Sequence, residues 1–259
     1  MKTNLVITLI AGMFLTLTAS SCLQGKVITG SKNYITKKVE PDHFNAIKLQ
    51  SSADVTYYQD ERSHIEIYGS DNIVPLVTTE VSNNTLIISF KKNCMIRNGK
   101  LEIKVFSPDL NKLAINGSGD VRLANGIQTE KDIELYINGS GNIEGKEFNC
   151  RKLTVAISGS GDIALQKIKS KECSGSIAGS GNINLSGETT DAEYRIAGSG
   201  DIRAAKLEAM NVKASTAGSG DIECYASEKL TARVAGSGDI AYKGNPREID
   251  APQKKIRRM

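Results

Sequence analysis

The sequence contains no tryptophan, only two histidines and five prolines, and aromatic residues make up 5% of its 259 positions. His43 and His64 give a histidine-based metal site or catalytic triad little to build on, so both are read as surface residues. Long hydrophobic runs are scarce too. The longest, Leu5 to Leu17, is short for a membrane-spanning helix. No glycine-rich loop is followed by the lysine and opening helix that phosphate cradling needs. A basic body is also missing, although the formal net charge is +4. Lys2 lies in a leader, and Lys254, Lys255, Arg257 and Arg258 lie in the last six residues. The rest is near neutral. This argues against the clustered basic face that nucleic acid requires, and no such partner is expected. The basic tail, residues 247–259, is read as a solvated end.

What is present begins with a targeting segment. One positive charge, a short apolar core and small residues make residues 1–21 a secretory signal peptide. Ala19-Ser20-Ser21-Cys22 resembles a bacterial lipobox, in which Cys22 becomes the lipidated first residue of the mature chain. Ordinary signal cleavage beside an incidental cysteine is the alternative. Leu23 after the cysteine favours the outer membrane. No acidic run follows, which leaves the surface or periplasmic side open. Residues 22–40 are then the lipidated cysteine with a tether or cap.

The dominant feature is a repeat. Gly-Ser-Gly followed by Asp or Asn occurs seven times, at spacings of 22, 20, 20, 19, 20 and 18 residues. A fixed period near twenty marks a solenoid. Two residues before each copy stand Ile115, Ile137, Ile157, Ile177, Ile196, Thr216 and Val234. Four residues after its first glycine stand Val121, Ile143, Ile163, Ile183, Ile202, Ile222 and Ile240. Apolar and polar residues alternate on both sides, so each copy reads strand, turn, strand. A strand rises about 3.3 Å per residue, and only coiling brings the chain back to the same phase every twenty residues. The prediction is an all-β fold, a parallel β-helix with coils of about twenty residues. Outward columns should then avoid like charges. Arg122, Glu144, Ala164, Asn184, Arg203, Glu223 and Ala241 form one such column, and no like charges adjoin in it.

The motif is read as a tight corner. Its glycines are Gly117 and Gly119, Gly139 and Gly141, Gly159 and Gly161, Gly179 and Gly181, Gly198 and Gly200, Gly218 and Gly220, and Gly236 and Gly238. They should supply positive φ and room for stacking. The column Asp120, Asn142, Asp162, Asn182, Asp201, Asp221, Asp239 should cap the turns by Asx bonding to neighbouring backbone. The last three are all Asp, so Asp201, Asp221 and Asp239 are also a weak candidate column for Ca²⁺. No other cofactor is expected.

Degraded copies extend upstream, at Ile47 to Tyr57, Ile65 to Ile73 and Leu86 to Ile96. The predicted domain is 41–246, with irregular coils over 41–110 and seven regular coils over 111–246. Gly244-Asn245-Pro246 and Pro252 should close its end. Cys173 falls in an inward column with Leu153 and Ile133, and Cys224 falls with Leu165 and Leu185, as small core residues. Cys150 lies at a corner out of phase with Cys173, which argues against a disulfide. Polysaccharide lyases and glycosidases use β-helices, but coils this short leave little room for the loops that build a cleft. No catalytic residue is assigned.

The tandem [Ile/Val]-x-Gly-Ser-Gly-[Asp/Asn]-[Ile/Val] copies, the Leu49 to Val55 opening and Pro108-Asp-Leu110 resemble the auto-transporter adhesin, head GIN domain family, over residues 40 to 246. The leader is similar to those of Bacteroidetes-type outer-membrane lipoproteins. The resemblance implies a single-stranded right-handed β-helix and supplies no catalytic residues. The expected function is a non-enzymatic, adhesin-like binding module. It would be held to the membrane by its N-terminal lipid and would bind glycan, extracellular matrix or another envelope protein. A periplasm-facing structural or interaction lipoprotein is the alternative. Tyr136 is the one outward aromatic placed in the regular columns.

Overall fold

A computed structural model describes residues 26–251 and 254–259. The signal peptide and Cys22 lie outside the described residues. The chain is a β-solenoid of about seven turns with coils of about twenty residues. Each coil has three sides. In the second regular coil these are Asp132–Gly139 before the Gly-Ser-Gly corner, then Ile143–Asn149, which covers the side after the corner and bends into the third. Equivalent residues pair in parallel from coil to coil, as in Ile137↔Ile157 and Ile143↔Ile163. Ile157↔Ile177↔Ile196↔Thr216↔Val234 and Ile163↔Ile183↔Ile202↔Ile222↔Ile240 continue the two columns. All these side chains are buried, so the core is a stack of β-branched residues on a pleat that suits them. Thr216 takes an isoleucine's place by donating its hydroxyl to the Gly220 carbonyl at 2.8 Å.

Core volume is balanced both between coils and within them. Gly175 stands in the inward column four residues before the corner, and its partner in the next coil is Tyr194. The Tyr194 ring, fully buried, packs over Gly175, 3.4 Å from where a Cβ would stand, so a longer side chain there would meet it. Ala214 follows on the other side. Gly145 makes room for Phe148 in the same way: a Cβ there would lie 2.7 Å from the ring. The third side is lined by Ile127, Phe148, Ile168 and Leu207. A second corner precedes it, where Gly126, Glu147 and Lys167 adopt φ of 76°, 70° and 54°.

The N-terminal end departs from the simple stack. Ala46–Gln50 pairs in parallel with Lys112–Ile115 on one side and with Thr85–Phe90 on the other. Val55–Gln59 lies likewise between Val121–Leu123 and Leu101–Ser107. The order in space is therefore 85–107, then 46–59, then 112–123. His64–Ser70, read from sequence as part of a coil, instead pairs antiparallel with both Leu101–Ser107 and Tyr34–Val39. Val77–Ser82 runs antiparallel to Thr85–Phe90 through a two-residue hairpin at Asn83 and Asn84, whose φ of 48° and 57° suit a type I′ turn. Lys26–Thr29 pairs with Cys94–Arg97 in a separate small sheet.

The C-terminal tail is exposed but paired into the sheet, and it lies beyond Gly244-Asn245-Pro246, which therefore does not close the stack. Glu248–Asp250 pairs with the last regular coil beside Lys229 to Thr231, and Ile256–Arg258 pairs with Ile240–Lys243. Ion pairs Lys229–Glu248 and Arg233–Asp250, each 2.6 Å, hold the first of these strands.

Candidate binding faces

The corner is where the repeated motif acts. From Gly117 to Gly218 the carbonyl of each first glycine accepts the backbone N–H of the next coil's serine, as from Ser160 to Gly139 and Ser180 to Gly159, both 2.9 Å. A Cβ on Gly200 would lie within the carbonyl oxygen of Gly181 one coil earlier. Room is thus the requirement at the second glycine, while first glycines such as Gly198, at φ 151°, also need a region that side chains avoid. The Asp/Asn side chains do not cap their own turns, as the sequence suggested. From Asp120 to Asp221, each accepts the backbone N–H of its equivalent in the next coil. Asn142 donates to Asp120 and Asp162 to Asn142 at 2.9 Å. Asn182 donates to Asp162 at 2.7 Å and Asp239 to Asp221 at 2.8 Å. The ladder starts one coil earlier, with Asp120 donating to Asp54 at 3.1 Å. The carboxylates of Asp54, Asp120, Asp162, Asp201 and Asp221 are thereby paired with backbone donors, and Asp201 also meets Arg203 at 2.9 Å. Among the described residues no three His, Cys, Asp or Glu form a cluster that could hold a metal ion.

The two walls that flank the Gly-Ser-Gly corner carry the charge order expected, whereas on the third side Glu188 and Glu208 stand in register as like charges. One row across the sheet reads Lys38, Glu66, Lys104, Thr56, Arg122, Glu144. Lys38–Glu66 and Arg122–Glu144 close at 2.9 and 2.8 Å. On the opposite wall Lys112–Glu134 closes at 3.0 Å, and the Lys112 ammonium also sits 4.9 Å from the Tyr136 ring centre. Burial and the neighbouring Glu134 raise the Tyr136 hydroxyl pKa. Tyr136 is not the only outward aromatic of the regular coils. Tyr225 lines an open depression on the third side with Glu208 and Met210.

Most surface aromatics sit at the N-terminal end. His64, Phe106 and Tyr58 are neighbours in one cross-strand row. Their rings stack nearly parallel, at 4.0 Å for His64–Phe106 and 5.0 Å for Phe106–Tyr58. Tyr34 and Tyr68 lie 6.0 Å apart on the same sheet, with Lys100 over Tyr68. Beside Tyr58 opens a depression of about 340 Å³ that includes Arg122, Ala124, Glu144, Lys146 and Gln166. A second of about 550 Å³ shares Ala164 and Gln166 with it and runs on to Arg203 and Lys206. The two form one trough along the solenoid.

The cysteines offer no nucleophile in the coils. Burial pushes the Cys150 thiol up to about 11, and those of Cys173 and Cys224 up to about 12. Such thiols stay protonated at neutral pH. None of Cys94, Cys150, Cys173 and Cys224 is in a disulfide. Cys173 stands in register with Leu153, as its spacing implied.

The corner motif, repeated on a stacked coil, matches the family model "putative auto-transporter adhesin, head GIN domain" over residues 43–246. The chain belongs to this family. Its GIN-domain solenoid is similar to several solved structures. One, from Parabacteroides distasonis and named a "putative lipid binding protein", is 31% identical, with a TM-score of 0.81 over 90% of this chain and 100% of that one. A "putative adhesin" from Bacteroides fragilis is 32% identical, with a TM-score of 0.67 over 89% and 95%. A "putative adhesin" from Parabacteroides merdae is 26% identical, with a TM-score of 0.76 over 90% and 99%. No curated protein matches. These relatives bear the names of binding proteins, and the family's adhesin-like character suggests the cell envelope. No helix among the described residues is long and apolar enough to cross a membrane.

Sequence reasoning missed the aromatic row of the GIN-domain solenoid, because its members come from three strands whose pairing is not in chain order. It also missed the link among Gln59, Asn125 and Gln128. Asn125 exchanges two hydrogen bonds of 2.9 Å with the Gln59 backbone, and the Gln59 side chain accepts from Gln128 N–H at 2.8 Å. Those residues replace backbone pairing where the first regular coil turns.

Proposed function

We propose that this GIN-domain protein is a non-enzymatic envelope lipoprotein, anchored through Cys22, whose solenoid is an adhesin-like binding module. The supporting observation is the long open trough with polar and charged walls, beginning at an aromatic row. A face of this kind suits an extended glycan or protein ligand better than a small enclosed substrate. The relative named a lipid-binding protein raises a lipid as ligand. Isoleucine and leucine columns fill the coil interior here, so an acyl chain would have to lie outside, along walls that carry charge. A periplasm-facing interaction role is the second reading, favoured by the missing acidic run after Cys22.

Protease and antibody accessibility on intact cells tests the proposal, with Cys22→Ala as the comparison. Wild type should be accessible and labelled by radioactive palmitate, and the variant unlabelled and released. Protection until the outer membrane is broken would replace the adhesin reading with the periplasmic one. Palmitate labelling that survives the substitution would remove Cys22 as the anchor.

A further inference from the structure

The aromatic row stops one strand short. His64, Phe106 and Tyr58 stack across three adjacent strands at about the spacing of the strands themselves. One face of Tyr58 is covered by Phe106. The next place in the row belongs to Ala124, whose backbone N–H bonds the Tyr57 carbonyl at 2.9 Å. Ala124 is exposed and has no side chain beyond Cβ, so the far face of the Tyr58 ring looks into open space. Beyond that gap, Lys146 stands on the following strand, exposed and without an ion-pair partner among the described residues. Arg122 and Glu144, paired at 2.8 Å, form one side of the gap, and Gln166 continues its far wall.

We propose that this gap is a seat for a single pyranose ring of a glycan. The proposal rests on the binding-module reading above and names its ligand class. A pyranose has one face of C–H bonds, which packs on an aromatic ring, and a rim of hydroxyls that must keep hydrogen-bond partners when water leaves. The seat offers both. Tyr58 supplies the ring, held from behind by Phe106 and His64, so little freedom is lost on binding. Arg122 and Lys146 donate, Glu144 accepts, and Gln166 does either. A bound sugar would take the fourth place in the ring stack, and further residues of the chain would follow the trough toward Ala164.

The test uses the full mature chain and soluble methyl pyranosides of glucose, galactose, mannose, N-acetylglucosamine and fucose, read by saturation-transfer NMR. At least one should give ring-proton signals. Tyr58→Ala should weaken that binding tenfold or more. Ala124→Trp, which places the protein's own ring in the seat, should do the same while thermal melting stays unchanged, since position 124 is exposed. Tyr225→Ala, on another side of the coil, should bind as wild type does. Binding undiminished in both Tyr58→Ala and Ala124→Trp would overturn the seat and leave the module reading standing. So would silence of all five sugars on a protein that is accessible at the cell surface.

Discussion

In the seven regular coils, a residue's neighbour across the sheet lies about twenty places along the chain. At the N-terminal end it lies wherever the crossing strands put it. The segment around Ser51 and Ala53 makes the difference concrete. It occupies the corner on which Gly117 and Gly119 stack, yet it carries serine and alanine where every later corner carries glycine. The coil beyond it, 85–107, makes no matching corner, because its two strands are joined through residues 91–100, which include the separate strand Cys94–Arg97. Glycine is thus demanded by a corner stacked behind, and where that stacking ends the demand lapses. The degraded motif marks the end of the stack rather than decay of the repeat.

Substitutions can break this contrast. The largest effect is expected at Gly200. Alanine there meets the Gly181 carbonyl and must push coils apart, costing about 3 kcal/mol. Ala53→Gly should cost less, about 1 kcal/mol, through chain entropy and the loss of one buried methyl. Urea denaturation of the two variants compares them directly, and equal losses would refute the stacking account. The ladder comes next. Asp162 accepts from both the backbone and the side chain of Asn182, at 2.7 and 2.9 Å, so Asp162→Ala should cost about 2 kcal/mol. Asp54 accepts one bond of 3.1 Å at the outermost rung, and Asp54→Ala should cost about half as much. Tyr194→Phe should act in the opposite direction. The Tyr194 hydroxyl is buried without a partner among the described residues, and its removal should stabilise the fold by about 1 kcal/mol. A lower denaturation midpoint would show that the hydroxyl contributes. The smallest effect is one of labelling. Cys94, partly exposed at the irregular end, should react with iodoacetamide in the native protein at pH 8. Cys150, Cys173 and Cys224 should react only when it is unfolded.

The regular part was legible because parallel stacking prints itself on the sequence. Alternation gave the strands, a constant period gave the coil, and charge order along columns such as Arg122, Glu144 and Ala164 gave the register. The glycine corners were legible as corners, but their bonding was not. Whether an Asp side chain reaches forward in its own turn or sideways to the next coil depends on a neighbour twenty residues away. The second corner was invisible because Gly126, Glu147 and Lys167 share a backbone conformation and no side-chain chemistry. At the N-terminal end, period-two alternation identified Ile65 and Ile67 as inward residues. It carries no information on strand direction, so an antiparallel strand was read as a coil. The aromatic row was lost for the same reason: Tyr58, Phe106 and His64 meet only once those directions are known.

That reversal has a further consequence. A parallel stack is open-ended, and a second molecule could in principle continue it as a filament. Here one wall ends on Val77–Ser82, which runs against the coils. The other ends on Tyr34–Val39, which runs with them and carries Lys37 and Lys38. An arriving coil could match the sense of one edge but not both, and would meet lysines on the edge it did match. Growth by end-to-end addition is therefore blocked at the first coil. The length of the solenoid is then counted by copies of the motif within the chain.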